Sequence, residues 1–86
     1  MKREITREEH NDGASRGIDF VIDGRSRAHV RQVLKSPVDF KPRAPEIGWS
    51  APHQPDADLT EAVGRVLIEA ARVCRDWEAE TMQAAA

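Results

Sequence analysis

His10, His29, His53 and Cys74 are the side chains of this 86-residue chain best suited to act near neutral pH as bases, nucleophiles or soft metal ligands. Their spacing does not build a metal site. The nearest two, His10 and His29, stand nineteen residues apart. Structural zinc takes its ligands from close pairs about two to five residues apart, because a short loop then positions both. An acid–base pair needs only one carboxylate beside a histidine, and His29 has Asp19 and Asp23 within reach of a short segment. No nucleophile accompanies it at an informative spacing, and no Gly-rich phosphate loop, Ser-centred elbow or His-Glu-x-x-His run occurs. The expectation is a protein without catalytic residues, cofactor or metal. Cys74 falls among apolar neighbours and reads as a small core residue.

Charge carries more information than catalysis does. Residues 16–43 hold seven Lys or Arg against three Asp, whereas residues 44–86 hold three Arg against eight Asp or Glu. Segregation of this kind builds fields for meeting partners, since solubility needs only scattered charge. The net charge of −2 argues against a general nucleic-acid coat. A single cysteine excludes an internal disulfide and points to a reducing compartment. The opening MKREITREEHNDG is too charged for a secretory signal, and no run approaches the ~20 apolar residues of a membrane span. A cytoplasmic setting without membrane contact is therefore expected.

These residues need elements to position them. Residues 1–16 are polar and nearly alternate in charge, which reads as a mobile or loosely paired arm containing the turn signal Asn11-Asp12-Gly13. Residues 17–23 carry the best strand pattern, with Ile18, Phe20 and Ile22 on one face. That strand needs a neighbour, either the Lys2–Arg7 segment returning antiparallel or the same strand of a second subunit. Residues 26–36 read as a short helix, with Ser26 as N-cap, Val30, Val33 and Leu34 inward, and Pro37 as its stop. On that helix Arg27, Arg31 and Lys35 form one basic stripe at four-residue spacing.

Residues 37–56 form a connection punctuated by five prolines, which excludes a helix interior and disfavours a central strand. It carries Phe40, Ile47 and Trp49, either stapled onto the domain or presented to a partner. Residues 57–82 read as a long amphipathic helix. Leu59, Val63, Val66, Leu67, Ala70, Val73, Cys74 and Trp77 share an arc of about 120°. Gly64, Ile68, Ala71 and Met82 make a second, flatter apolar strip, where mid-helix Gly64 would permit close approach of another backbone.

The fold class expected is α+β: a small domain over 17–86 with a hairpin or paired strand near 17–23, a short helix 26–36 and the helix 57–82. The function expected is a non-catalytic protein-binding module, a small regulator, inhibitor or adaptor of a larger protein with an acidic surface. Contact is expected through Arg25, Arg27, Arg31, Lys35, Phe40, Lys41, Arg43, Trp49 and Ile68, since aromatic and arginine anchors concentrate binding energy. The alternative is a small nucleic-acid-binding regulator, acting as a dimer through the basic 25–43 segment. A strand followed by a basic-striped helix suits that role, but the stripe lacks interleaved aromatics and side chains for base-edge reading. Homodimerisation is compatible with both.

Overall fold

Alternation of Ile18, Phe20 and Ile22 with Asp19 and Val21 gives one apolar and one polar face to Ser15–Ile22 (β2), the strand around which the protein is built. The computed structural model describes residues 4–24, 26–52 and 54–85. β2 lies between Ile5–Asn11 (β1) and Ser26–Val33 (β3), and Glu46–Ser50 (β4) pairs with the far side of β3. All pairings are antiparallel and the order is β1-β2-β3-β4, with both outer edges unpaired among the described residues. Ala57–Ala85 (α1) crosses one face of this sheet. The architecture is α+β, with the paired strand at 17–23 and the long C-terminal helix both present.

Local chemistry fixes each turn. Between β1 and β2, the Asp12 carboxylate accepts from the amides of Ala14 (2.9 Å) and Ser15 (2.8 Å), while Gly13 takes φ 86°. Those amides, Ser15 foremost, hold the Asp12 carboxyl below its usual range. Between β2 and β3, Asp23 and Gly24 adopt φ 53° and 70°, the left-handed values that a tight hairpin demands. At the start of α1, the Asp56 carboxylate accepts from the Leu59 amide at 2.8 Å and caps the first turn.

The core lies between the sheet and α1. Ile18, Phe20 and Ile22 of β2 with Ala28 and Val30 of β3 meet Leu59, Ala62, Val66, Ala70 and Cys74 of the helix. Val63, Leu67, Val73 and Trp77 flank this contact, so the expected apolar arc is the buried one. At 29 residues and ~44 Å, α1 outreaches strands of eight residues. Polar ties hold its far end: Arg16 stacks 4.3 Å from the Trp77 ring and pairs with Glu80 at 2.8 Å. The Gln32 amide, buried in β3, donates to Thr81 Oγ1 at 2.7 Å and to the Arg43 carbonyl at 2.8 Å. Cys74 is buried, and burial, with Glu78 alongside, pushes its thiol pKa up.

One element departs from expectation. Residues 26–36 do not form a helix: Ser26–Val33 is strand β3, and Ser26, Ala28, Val30 and Gln32 point inward with period two. Each of Ser26 to Val33 pairs with β2, and hairpin pairing outweighs the weak helical spacing of Val30, Val33 and Leu34. Ser26 is therefore no N-cap. Its hydroxyl is buried with no hydrogen-bond partner among the described residues. Of the two neighbours expected for β2, the structure shows the chain's own N-terminal segment: Ile5–Asn11 returns antiparallel from the Asn11-Asp12-Gly13 turn, while Lys2 and Arg3 lie outside the described residues. The β1 side chains are all exposed, so the pairing rests on backbone hydrogen bonds supplemented by polar contacts of Arg7 and His10.

Candidate interaction surfaces

The segment 34–45 between β3 and β4 is a closed, hydrogen-bonded loop. The Ser36 amide donates to the Lys41 carbonyl (3.1 Å) and the Phe40 amide to the Ser36 carbonyl (2.7 Å). The Ser36 hydroxyl, itself buried, accepts from the Val38 amide (3.3 Å) and from Arg43 (3.0 Å). Asp39 completes the frame, accepting from the Lys41 amide at 3.0 Å and from the Arg43 guanidinium at 3.1 Å. The Lys41 amide, then Arg43, hold the Asp39 carboxyl below the usual carboxylate range. Outside the frame stand Val38, 84% exposed, and Phe40, 76% exposed at φ 57°. A phenylalanine in the left-handed region costs roughly 1–2 kcal/mol. Lys35 and Lys41, both exposed, flank the pair.

Phe40 is thus presented rather than stapled. Of the expected contact residues, Lys35, Phe40, Lys41 and Arg43 share this loop. Arg43 serves as its internal tie.

Arg27 and Arg31 lie elsewhere, on the face of the sheet opposite α1. Four-residue spacing puts two side chains on one side of a strand as well as of a helix, so the pair survives the change of element. Lys35 does not join them, because β3 ends at Val33. Acidic groups interrupt this face: Arg31 stands 3.6 Å from Asp19 and pairs in register with Glu46. The helical basic stripe on which the nucleic-acid alternative rested is absent.

The same open face contains two glycines covered by histidines. A β-carbon at Gly17 would lie 2.6 Å from the His10 ring, and one at Gly48 would lie 2.6 Å from the His29 ring. His10 Nε2 is 3.8 Å from Asp19, and His29 pairs in register with Asp19. His29 thus neighbours Asp19 in register, but its ring lies over Gly48 of β4, and the pair sits on an open sheet face. Among the described residues, no group of three or more His, Cys, Asp or Glu converges to hold a metal ion.

Trp49 and Ile47 project from β4 on the helix side, in register with Ala28 and Val30. Because α1 lies chiefly along β3, it leaves them outside the core, and Trp49 is 61% exposed. Ile68 is 59% exposed on the helix. A β-carbon at Gly64 would meet nothing within 4 Å, so no backbone approaches it within the described fold. Arg25 lies outside the described residues. The expected contact residues thus divide among the 34–45 loop, the open sheet face, the β4 edge and the outer helix.

Arg7 and Arg16 were not singled out by sequence, yet both bind across elements. Arg7 sits 5.6 Å from the Phe20 ring and bonds Glu69 at 2.6 Å. The charge pattern gave no means of separating these two from other exposed arginines. No helix among the described residues is long and apolar enough to cross a membrane. No family model matches the chain, and no curated protein or solved structure shows significant similarity to it.

Proposed function

We propose that the protein is a non-catalytic binding module whose principal contact is the 34–45 loop. Val38 and Phe40 act as apolar anchors, and Lys35 and Lys41 as a cationic rim. The matching surface is an apolar cleft bordered by carboxylates on a larger protein. One observation carries this reading: Phe40 is held in a strained backbone conformation, by a frame of hydrogen bonds, with its ring in solvent. Burial of the ring within the chain would offset such strain, and here it does not. Strain without internal return is a mark of binding sites.

Pre-ordering favours the same role. A loop already fixed by Ser36, Asp39 and Arg43 loses little conformational freedom on docking, so more of the anchor burial appears as affinity. The lysines steer encounter with an acidic surface and make association sensitive to salt. A role as small regulator, inhibitor or adaptor is compatible with such a contact, and the single cysteine supports a cytoplasmic setting.

The test is capture from nuclease-treated lysate by the immobilised protein, followed by measured affinity for the captured species. Phe40→Asn should retain the fold, with an unchanged or raised melting temperature, because Asn accepts the left-handed region more readily. It should weaken capture at least tenfold. Undiminished binding by a folded Phe40→Asn protein would remove the loop from the contact.

A further inference from the structure

The two edges of the sheet are built on opposite plans. At the β1 edge the helix-side positions beside Ile22, Phe20, Ile18 and Arg16 are Ile5, Arg7, Glu9 and Asn11, so polar groups hold three of the four. Arg7 lies over the Phe20 ring and ties to Glu69, so charge closes that end of the core. Inward-pointing charges of this kind stop a sheet from recruiting further strands. At the β4 edge the helix-side positions are Ile47 and Trp49, both exposed. Nothing charged stands between them, since the intervening residue is Gly48. The prolines at 45 and 52 bracket this strand and leave its interior free of proline.

We infer that the β4 edge pairs antiparallel with β4 of a second copy, giving one eight-stranded sheet with both helices on the same face. The inference is independent of the 34–45 loop. The strand is complementary to itself. With the two-fold axis at Gly48, Ile47 faces the partner's Trp49 and Trp49 the partner's Ile47. These are aromatic–β-branched cross-strand pairs, which are favourable. Glu46 faces the partner's Ser50, so no like charges oppose one another. Arg27 lies beside Ser50 in register, which places a guanidinium one strand beyond each such pair. The residue on the axis has no side chain to collide with its own copy.

The third dimension agrees. With α1 along β3 and strands ~4.8 Å apart, each helix axis stands ~7 Å from the two-fold axis. The helices are then ~14 Å apart, beyond the ~8–10 Å of direct packing. Trp49 and Ile47 of both copies fill that gap. Leu67 and Ala71, on the flank of α1 away from Glu69, form its walls. The arrangement covers the exposed ring of Trp49, which the single chain leaves in water.

Sedimentation equilibrium across a concentration series should show a reversible monomer–dimer equilibrium. Trp49→Lys should raise the dimer midpoint at least tenfold while the circular dichroism spectrum stays the same. Ile47→Lys is the second variant and should act in the same direction. Glu46→Cys/Ser50→Cys in a Cys74→Ala background should form a dimer covalently on mild oxidation, because the two positions face each other only across the axis. A strict monomer at every concentration would leave the edge to a strand from another protein and overturn the proposal. So would a dimer indifferent to both lysine variants, or open-ended oligomers in place of a closed pair.

Discussion

The imidazole of His29 lies over Gly48 of the neighbouring strand, so near that a β-carbon there would stand 2.6 Å from its Cε1 and Nε2 atoms. His10 covers Gly17 at the same distance, with one difference. At Gly17 the new carbon would also lie 3.2 Å from the backbone carbonyl of Val30. A ring at the end of a flexible side chain can swing away, but a carbonyl in a paired strand cannot. Gly48→Ala should therefore shift the His29 ring resonances with a stability change within about 0.5 kcal/mol. Gly17→Ala should destabilise by roughly 1–2 kcal/mol. Urea unfolding of both proteins decides it, and equal losses would mean the rings, not the carbonyl, set the cost.

The helix offers a pair of changes with opposite signs. The Asp56 carboxylate supplies the first-turn cap, so Asp56→Ala should lower stability by about 1 kcal/mol. Gly64 sits mid-helix with open space beyond it, and Gly64→Ala should raise stability by about 1 kcal/mol. Denaturant midpoints measure both. A loss on Gly64→Ala would show that a second molecule approaches this stretch of the helix in solution.

What could be read from the sequence follows the strength of local periodicity. Residues 57–82 carry an apolar arc long enough to survive any neighbour, and residues 17–22 carry clean alternation; both elements stand as expected. β3 was misread because two of its four inward residues, Ser26 and Gln32, are polar. Gln32 is buried only because Arg16, Thr81 and the Arg43 carbonyl satisfy its amide, and those partners come from three distant segments. With Ser26 and Gln32 set aside, Val30, Val33 and Leu34 look helical. β1 has only Ile5 as a large apolar residue and owes its order to β2; its antiparallel return is one of the two neighbours open to that strand, and no local window chooses between them. The outward direction of Phe40 likewise depends on closure of Ser36 against Lys41. Its exposure could be named as an option from sequence but not chosen.

Ser26 is the weak point of the core. Its hydroxyl is fully buried beside Ile22 in register and finds no acceptor or donor among the described residues. Leaving such a group unpaired costs ~1–3 kcal/mol, and removing it recovers part of that cost. Ser26→Ala should raise the unfolding free energy by about 1 kcal/mol, measured by urea denaturation. A clear loss of stability would show that an ordered water satisfies the hydroxyl.

Asp39 links the contact loop to pH. Its carboxyl is held below the ordinary value of 3.8 by the Lys41 amide and by Arg43, so folding favours the ionised form. The contribution is present above 3.8 and is lost as pH falls through the lower folded-state value. Acidification through that lower value should therefore loosen the loop around Phe40, seen as faster hydrogen exchange at the Lys41 amide. Asp39→Ala should produce the same loosening at neutral pH and weaken partner binding severalfold, although residue 39 sits inside the frame and Phe40 stays intact. The carboxyl resonance of Asp39 reports the titration directly. A midpoint at or above 3.8 would break the link between this carboxylate and the presentation of Phe40.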